Sequence, residues 1–294
     1  VTLFLDALVA GVAIGSLYAL IGVGYTVVYN ATRVFNLAQG DLVMVGVMLS
    51  YLALHVLHLA QVLALLMAVA GVVVLSVFEE RVVVRPFLGR GEGGIGWFIA
   101  TLAFSLVIES AVGDIYGDRP PEAIRSFLPE RAIHLGSVTI SPQLVFVIAV
   151  LLLVVVALEL FYRRTWTGRA MRATAEDREA AGLRGIDPNK VSVIAFALGG
   201  LAAGVGGFAI APVVFSNVGV GLTYSLDGFL ALAIGGFGSI RGAVVGGIAL
   251  GIAEQVWDLY VDPRYELVAG MAVLMLVLSI RPVGLFGMRA TRQV

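Results

Sequence analysis

Few residues of this chain could do chemistry, and most of them are carboxylates or amides set in apolar surroundings. Asn36, Gln39 and Asp41 stand together at the mouth of an apolar stretch, and Glu109, Asp227 and Glu254 fall inside or near the ends of others. A central Asp in a membrane helix costs about 2.5–3.5 kcal/mol on insertion scales. It is tolerated where the helix is broken or re-entrant and faces protein or a water-filled path. Two readings are open for Asn36, Gln39 and Asp41: part of a translocation path, joined by Asp227, or a helix start with Asn36 as cap and Asp41 among headgroups. Other chemistry is scarce. There are no cysteines, which excludes disulfides, thiolate metal sites and cysteine nucleophiles. Of 3 histidines, His55 and His58 are one helical turn apart and read as interfacial polar residues rather than metal ligands. Lys190 is the only lysine, and no GxxxxGK[ST] loop exists, so the chain holds no P-loop nucleotide site. Ser225 and Ser239 have no histidine nearby in sequence. Gly235–Gly242 lacks a dinucleotide fingerprint. The chain reads as a non-enzyme with no cofactor or metal of its own.

The elements that must position these groups are membrane helices. Hydrophobic residues make up 60% of the 294, charged residues 13%, with a net charge of −1, and mean hydropathy is +0.99. Soluble chains carry about 25% charged residues. Apolar runs of about twenty residues indicate helices, not the short alternating strands of a barrel. The expectation is an all-α integral membrane protein, one domain over residues 1–294. It should be a polytopic bundle of about eight or nine transmembrane segments, some broken or re-entrant. Spans are expected near Leu3–Tyr29 (read as a retained helix), Asn36–Leu59, Val62–Phe78, Trp97–Val112, Pro142–Leu160, Val191–Val214, Tyr224–Phe237, Gly242–Tyr260 and Tyr265–Ile280. Gly11 and Gly15 in the first span form a smooth stripe for close helix approach, as do Gly242, Gly246, Gly247 and Gly251 near the end. Nothing in the composition points to nucleic acid.

Between two apolar runs lies Phe161–Lys190, with seven basic and four acidic residues. Juxtamembrane Arg and Lys resist translocation, so this loop should be cytoplasmic. So should the loop Glu79–Gly96 and the tail bearing Arg289 and Arg292, while Asp114–Ser141 and Phe215–Thr223 lie outside. Thr165 or Thr167 can cap a helix in the basic loop, and Gly185 followed by Pro188 stops it. A solvated loop and a docking helix for a soluble partner are both consistent with that content.

Within this loop Glu179-Ala180-Ala181-Gly182-Leu183-Arg184-Gly185 fits E-A-A-x-x-x-G. It resembles the cytoplasmic motif of permease subunits in binding-protein-dependent ABC importers. Further stretches extend the likeness: Gly15–Leu20, Gly24–Tyr29, Phe35-Asn36-Leu37-Ala38-Gln39-Gly40-Asp41, Gly235–Gly242 running to Glu254, Ala175-Glu176-Asp177, and Arg281-Pro282-Val283-Gly284-Leu285. Together these resemble the branched-chain amino-acid permease family, of the LivH type, in order along nearly the whole chain. Gln39 departs from it, since the family commonly has His there.

The resemblance implies a multi-pass subunit of a bacterial or archaeal inner or plasma membrane, importing branched-chain or other hydrophobic amino acids. It implies a second related permease, as a heterodimer, two cytoplasmic ATPases that bind the ATP and Mg, and an extracytoplasmic solute-binding protein. The coupling loop, about 163–190, would carry the ATPase contact through Arg172, Glu176, Asp177, Glu179, Ala180, Ala181 and Gly185. The outer loops would receive the binding protein. The alternative is an ion-coupled secondary transporter or channel for a small organic solute such as urea or an amide. It would rest on Glu109, Asp227 and Glu254. A non-transporting scaffold would explain the glycine stripes but not the polar row at Asn36–Asp41.

Overall fold

In a computed structural model, the structure describes residues 2–88, 95–117, 124, 128, 133–135, 138–214 and 220–287. Eleven helices are described: α1 (Thr2–Thr32), α2 (Gln39–Tyr51), α3 (Gln61–Glu79), α4 (Gly96–Tyr116), α5 (Pro142–Arg164), α6 (Trp166–Glu176), α7 (Arg178–Leu183), α8 (Pro188–Ile210), α9 (Val220–Gly235), α10 (Ile240–Tyr260) and α11 (Glu266–Ile280). Among the described residues 8 helical stretches are long and apolar enough to cross a membrane; α9, with 16 residues, is shorter. At about 1.5 Å per residue, α9 covers only about 24 Å, less than the ~30 Å hydrocarbon layer. A small antiparallel hairpin, β1 (Ile133–Leu135) with β2 (Val138–Ile140), adds two strands to the connection before α5.

Helix starts follow local chemistry. Ser141, Thr165, Asp177, Asp187 and Ser239 each accept a backbone N–H at the start of the helix they precede. Such caps satisfy donors that have no partner inside the helix. Pro142 and Pro188 fill first-turn positions where no N–H is needed. At the other end of α9, Leu285 and Phe286 donate their N–H groups to the carbonyls of Ile234 and Gly235, at 2.9 and 2.8 Å. The segment after α11 thus closes the α9 C-terminus.

α1 is the central strut, packed by α10, α8, α9 and α5. Its residues Leu17, Leu20, Ile21 and Tyr25 are fully buried. The outer helices α3, α4, α5 and α11 present Leu66, Val107, Leu153 and Met275, among others, as an apolar exterior. That surface suits lipid tails or another membrane helix.

The loop expected to begin at Glu79 starts later. Helix continues from α3 through a wide turn at Glu80–Val84 and a tight one at Arg85–Phe87. Glu79 and Glu80 are both 0% exposed, because Asn36 and Arg85 meet them. Two adjacent carboxylates look like solvated loop in sequence; their partners lie 43 and 5 residues away and only folding brings the first of them near. Arg90, Pro120, Pro121, Pro129, Arg289, Arg292 and residues 215–219 lie outside the described residues.

Candidate functional site

The α1–α2 junction gathers polar side chains from five helices into one knot. The linker after α1 begins at Arg33, whose φ of 59° is the left-handed conformation that non-glycine residues rarely adopt. Asn36 Oδ1 accepts the N–H of Ala38 at 3.0 Å, a local turn that sets up α2. Its Nδ2 donates to Glu79 Oε2 on α3 at 2.8 Å. Gln39 Nε2 donates to the Gly199 carbonyl of α8 at 3.0 Å. Asp41 Oδ2 accepts from Ser105 of α4 at 2.5 Å. The Gly40 N–H donates to Ser225 Oγ of α9 at 2.9 Å, and that hydroxyl donates to the Leu37 carbonyl at 2.8 Å. The Tyr25 hydroxyl of α1 donates to the Ser225 carbonyl at 3.1 Å.

Asn36, Gln39 and Asp41 are each 0% exposed. Asp41 therefore does not face headgroups, and Asn36 holds the turn before α2 without capping its first N–H groups by the usual route. Glu109 lies close enough for its charge to act on Asp41. Among the described residues, Gln39 Oε1, Asp41 Oδ1 and Glu79 Oε1 have no hydrogen-bond partner. Each carries spare accepting capacity inside the bundle, so donors can be exchanged there without first exposing the group to lipid.

Asp227 is 5% exposed and sits elsewhere, on the α10–α11 side of α9. Within electrostatic reach are Glu254 of α10 and Glu266 of α11, with Tyr18 of α1 beside Glu254. Asp227 and the α2 polar row therefore form two separate groups rather than one lining. Among the described residues no set of three or more His, Cys, Asp or Glu is placed to hold a metal ion.

The basic stretch 163–190 folds as two helices rather than one. Thr165 caps α6 by accepting from Gly168 at 2.9 Å, and Gly168 lets α6 fold back on α5, where an added Cβ would lie 2.6 Å from Tyr162 Cα. Asp177 breaks the helix and caps α7, accepting from Ala180 at 2.9 Å. Gly185, with φ of 83°, ends α7 in the left-handed region. Arg172, Glu176, Asp177, Glu179, Ala180 and Gly185 are exposed; Ala181, at 3%, is buried. Sequence reasoning passed over Leu183, 91% exposed at the tip of α7, and Trp166, 78% exposed with Arg169 5.1 Å from its ring. A hydrophobic residue left bare at the tip of a short polar helix is the usable signal.

The glycine stripes meet one another. α1 and α10 run antiparallel, with Gly11 and Gly15 against Ile252 and Ile248, and Gly247 and Gly251 against Ala19 and Gly15. A Cβ added at Gly247 would lie 2.7 Å from Ala19 Cα; one at Gly11 would lie 2.7 Å from Ile252 Cα. Gly242 and Gly246 face the other way, onto Gly235 of α9, where an added Cβ would lie 2.9 Å from its carbonyl carbon and 2.7 Å from its nitrogen, respectively.

Residues 7–279 match the family described as branched-chain amino acid transport system / permease component. The chain belongs to that family. It is 33% identical to the high-affinity branched-chain amino acid transport system permease protein BraD of Pseudomonas aeruginosa, covering 97% of this chain and 96% of that one. To the LivH permease protein of Escherichia coli K12 it is 31% identical, with the same coverage of both. The ribose import permease protein RbsC of the same strain is 26% identical over 86% of each chain. Among solved structures, a chain of PsaBC from Streptococcus pneumoniae in complex with Fab aligns with TM-score 0.50 over 95% of this chain and 91% of that one, at 10% identity. That last likeness concerns the fold alone.

Proposed function

We propose that this chain is the membrane-spanning permease subunit of an ATP-driven, binding-protein-dependent importer of branched-chain amino acids. The observation that carries the reading is the match along residues 7–279 to permease components of such systems. The exposed α6–α7 pair gives that match a physical counterpart, a stiff helical platform beside the bundle that a soluble ATPase can grip. In this reading the basic end, with Arg33, Arg81, Arg85 and the 163–190 stretch, is cytoplasmic, following the bias of Arg and Lys to stay inside. Two ATPases would supply ATP and Mg chemistry, a second related permease would complete the path, and a solute-binding protein would dock on the opposite end. Asn36, Gln39 and Asp41 are proposed as the bonds that rearrange when the path opens, with Asp227 as a separate polar group on the α10–α11 side of α9.

The decisive experiment is purification of the tagged chain in mild detergent, identification of co-purifying proteins by mass, and leucine uptake into proteoliposomes. Co-purification of P-loop ATPases and uptake that requires ATP are expected. A chain that comes out alone and moves solute on an ion gradient would overturn the proposal.

A further inference from the structure

Five aromatic rings from separate stretches meet at the basic end. Tyr29 comes from the last turns of α1, Phe35 from the α1–α2 linker, Trp97 from the first turn of α4, Phe229 from α9 and Phe237 from the α9–α10 turn. Phe35 is the hub. Its ring stacks on Tyr29 at 4.4 Å and meets Phe237 at 5.3 Å, Phe229 at 5.9 Å and Trp97 at 6.2 Å. None of the five is fully buried, and Phe237 is 40% exposed. A ring cluster that keeps one side open is unlike the sealed core beneath it. Stacked and edge-on rings separate at a cost of about 0.5–1.5 kcal/mol per pair, so such a cluster can both close and open.

The linker that carries Phe35 is tied directly to the α6–α7 platform by Arg33. Arg33 donates to the carbonyl of Ala175 in the last turn of α6, and its guanidinium lies 5.6 Å from the Tyr29 ring centre. On the other side, Arg178 of α7 feels the charge of Glu80, and the neighbouring Glu79 accepts from Asn36 at 2.8 Å. Phe35 thus sits two residues from Arg33, the contact through which motion of the platform reaches it. The backbone at Arg33 is already in a strained region, which the tie to Ala175 helps hold.

We propose that the Phe35-centred ring cluster is a latch closing the basic end of the solute path, and that Arg33 is the strap by which the α6–α7 platform releases it. The inference rests on the importer reading. When ATPases shift α6, the Ala175 carbonyl draws Arg33 with it, and Phe35 turns out of its contacts with Phe229 and Phe237. Phe35 is the gating residue and Arg33 a positioning residue.

This chain has no cysteine of its own, so a cross-link within it reports only on introduced thiols. Phe35→Cys and Phe237→Cys are introduced together, and the complex with its co-purified ATPases is treated with a short bifunctional thiol reagent. Cross-linking is compared without nucleotide and after trapping with ATP and vanadate. A change in cross-linking rate of at least five-fold on trapping is expected, and adding Arg33→Ala should erase that change while the ATPases stay bound. Arg33→Lys, which keeps a donor, should restore part of it. Phe35→Ala in the otherwise natural chain should let leucine leak across vesicles without ATP. Cross-linking that ignores nucleotide, or responds equally with Arg33→Ala, would overturn the latch. Failure of the importer reading looks different: no ATPase co-purifies at all, and the latch falls with it.

Discussion

Two seams meet on α1, and they are made of opposite materials. Against α10 the contact is nearly bare backbone, with Gly11, Gly15, Gly247 and Gly251 letting main chains touch. At its other end, where α2 begins, the contact is a knot of amides, hydroxyls and carboxylates reaching α3, α4, α8 and α9. The first seam has no slack, since any added atom strikes main chain that cannot rotate away. The second is held by directional bonds, and among the described residues oxygens on Gln39, Asp41 and Glu79 have accepting capacity to spare. In the proposed importer the first seam would serve as a frame that does not slip and the second as a joint that can be remade, at opposite ends of one helix.

The comparison can be broken most severely at the frame. Gly247→Leu should destabilise the fold by about 3 kcal/mol or more, because overpacking against fixed backbone exceeds the usual 1–3 kcal/mol for cores that can relax. Detergent-solubilised protein should then lose its monodisperse elution peak or melt far lower, and a variant that elutes and melts like the natural chain removes the rigid-seam claim. Next comes the joint. Asn36→Leu strands the Glu79 carboxylate and should cost about 2 kcal/mol, while Asn36→Leu with Glu79→Leu should recover most of it, since removing both partners is nearly neutral. If the double variant melts no higher than the single, the two residues do not act as a pair.

Two smaller effects sharpen the role of the platform. Glu179→Arg, on the exposed face of α7, should leave insertion and melting unchanged while weakening ATPase association about ten-fold, a loss of about 1.4 kcal/mol. Equal recovery of ATPase in a pull-down would remove Glu179 from the contact. Gly185→Ala should have the mildest consequence. Open space surrounds the position, so only the left-handed backbone resists, at about 1–2 kcal/mol. A shift of a few fold in ATPase affinity with a melting temperature lowered by only a few degrees is expected, and a large loss of folded protein would show that Gly185 holds more than a turn.

Comparison of single residues shows where sequence reading reached and where it stopped. Repeats of Gly every four residues on α1 announce a close neighbour, but not that the neighbour is α10, where Gly247 meets Gly15 across 232 positions of sequence. Thr165 and Gly185 mark the start and stop of the platform, yet the break at Asp177 was not legible, because an Asp inside a charged run looks like any other solvated acid. Glu79 and Glu80 were placed in a loop for the same reason. Ala181 fits the E-A-A pattern by type but turns inward, since α7 is too short to expose every face.

Composition, apolar run length and the distribution of arginine by themselves determined that this is a polytopic helical membrane protein with a charged segment between two of its spans. Those properties are local and additive, so a linear reading captures them. Tertiary structure alone decided that Asn36, Gln39 and Asp41 are buried in a knot, that Asp227 belongs to a different group, and that Arg33 reaches α6. Each of those depends on partners dozens to nearly two hundred residues away, and a polar side chain in a membrane is defined by its partner more than by its own type.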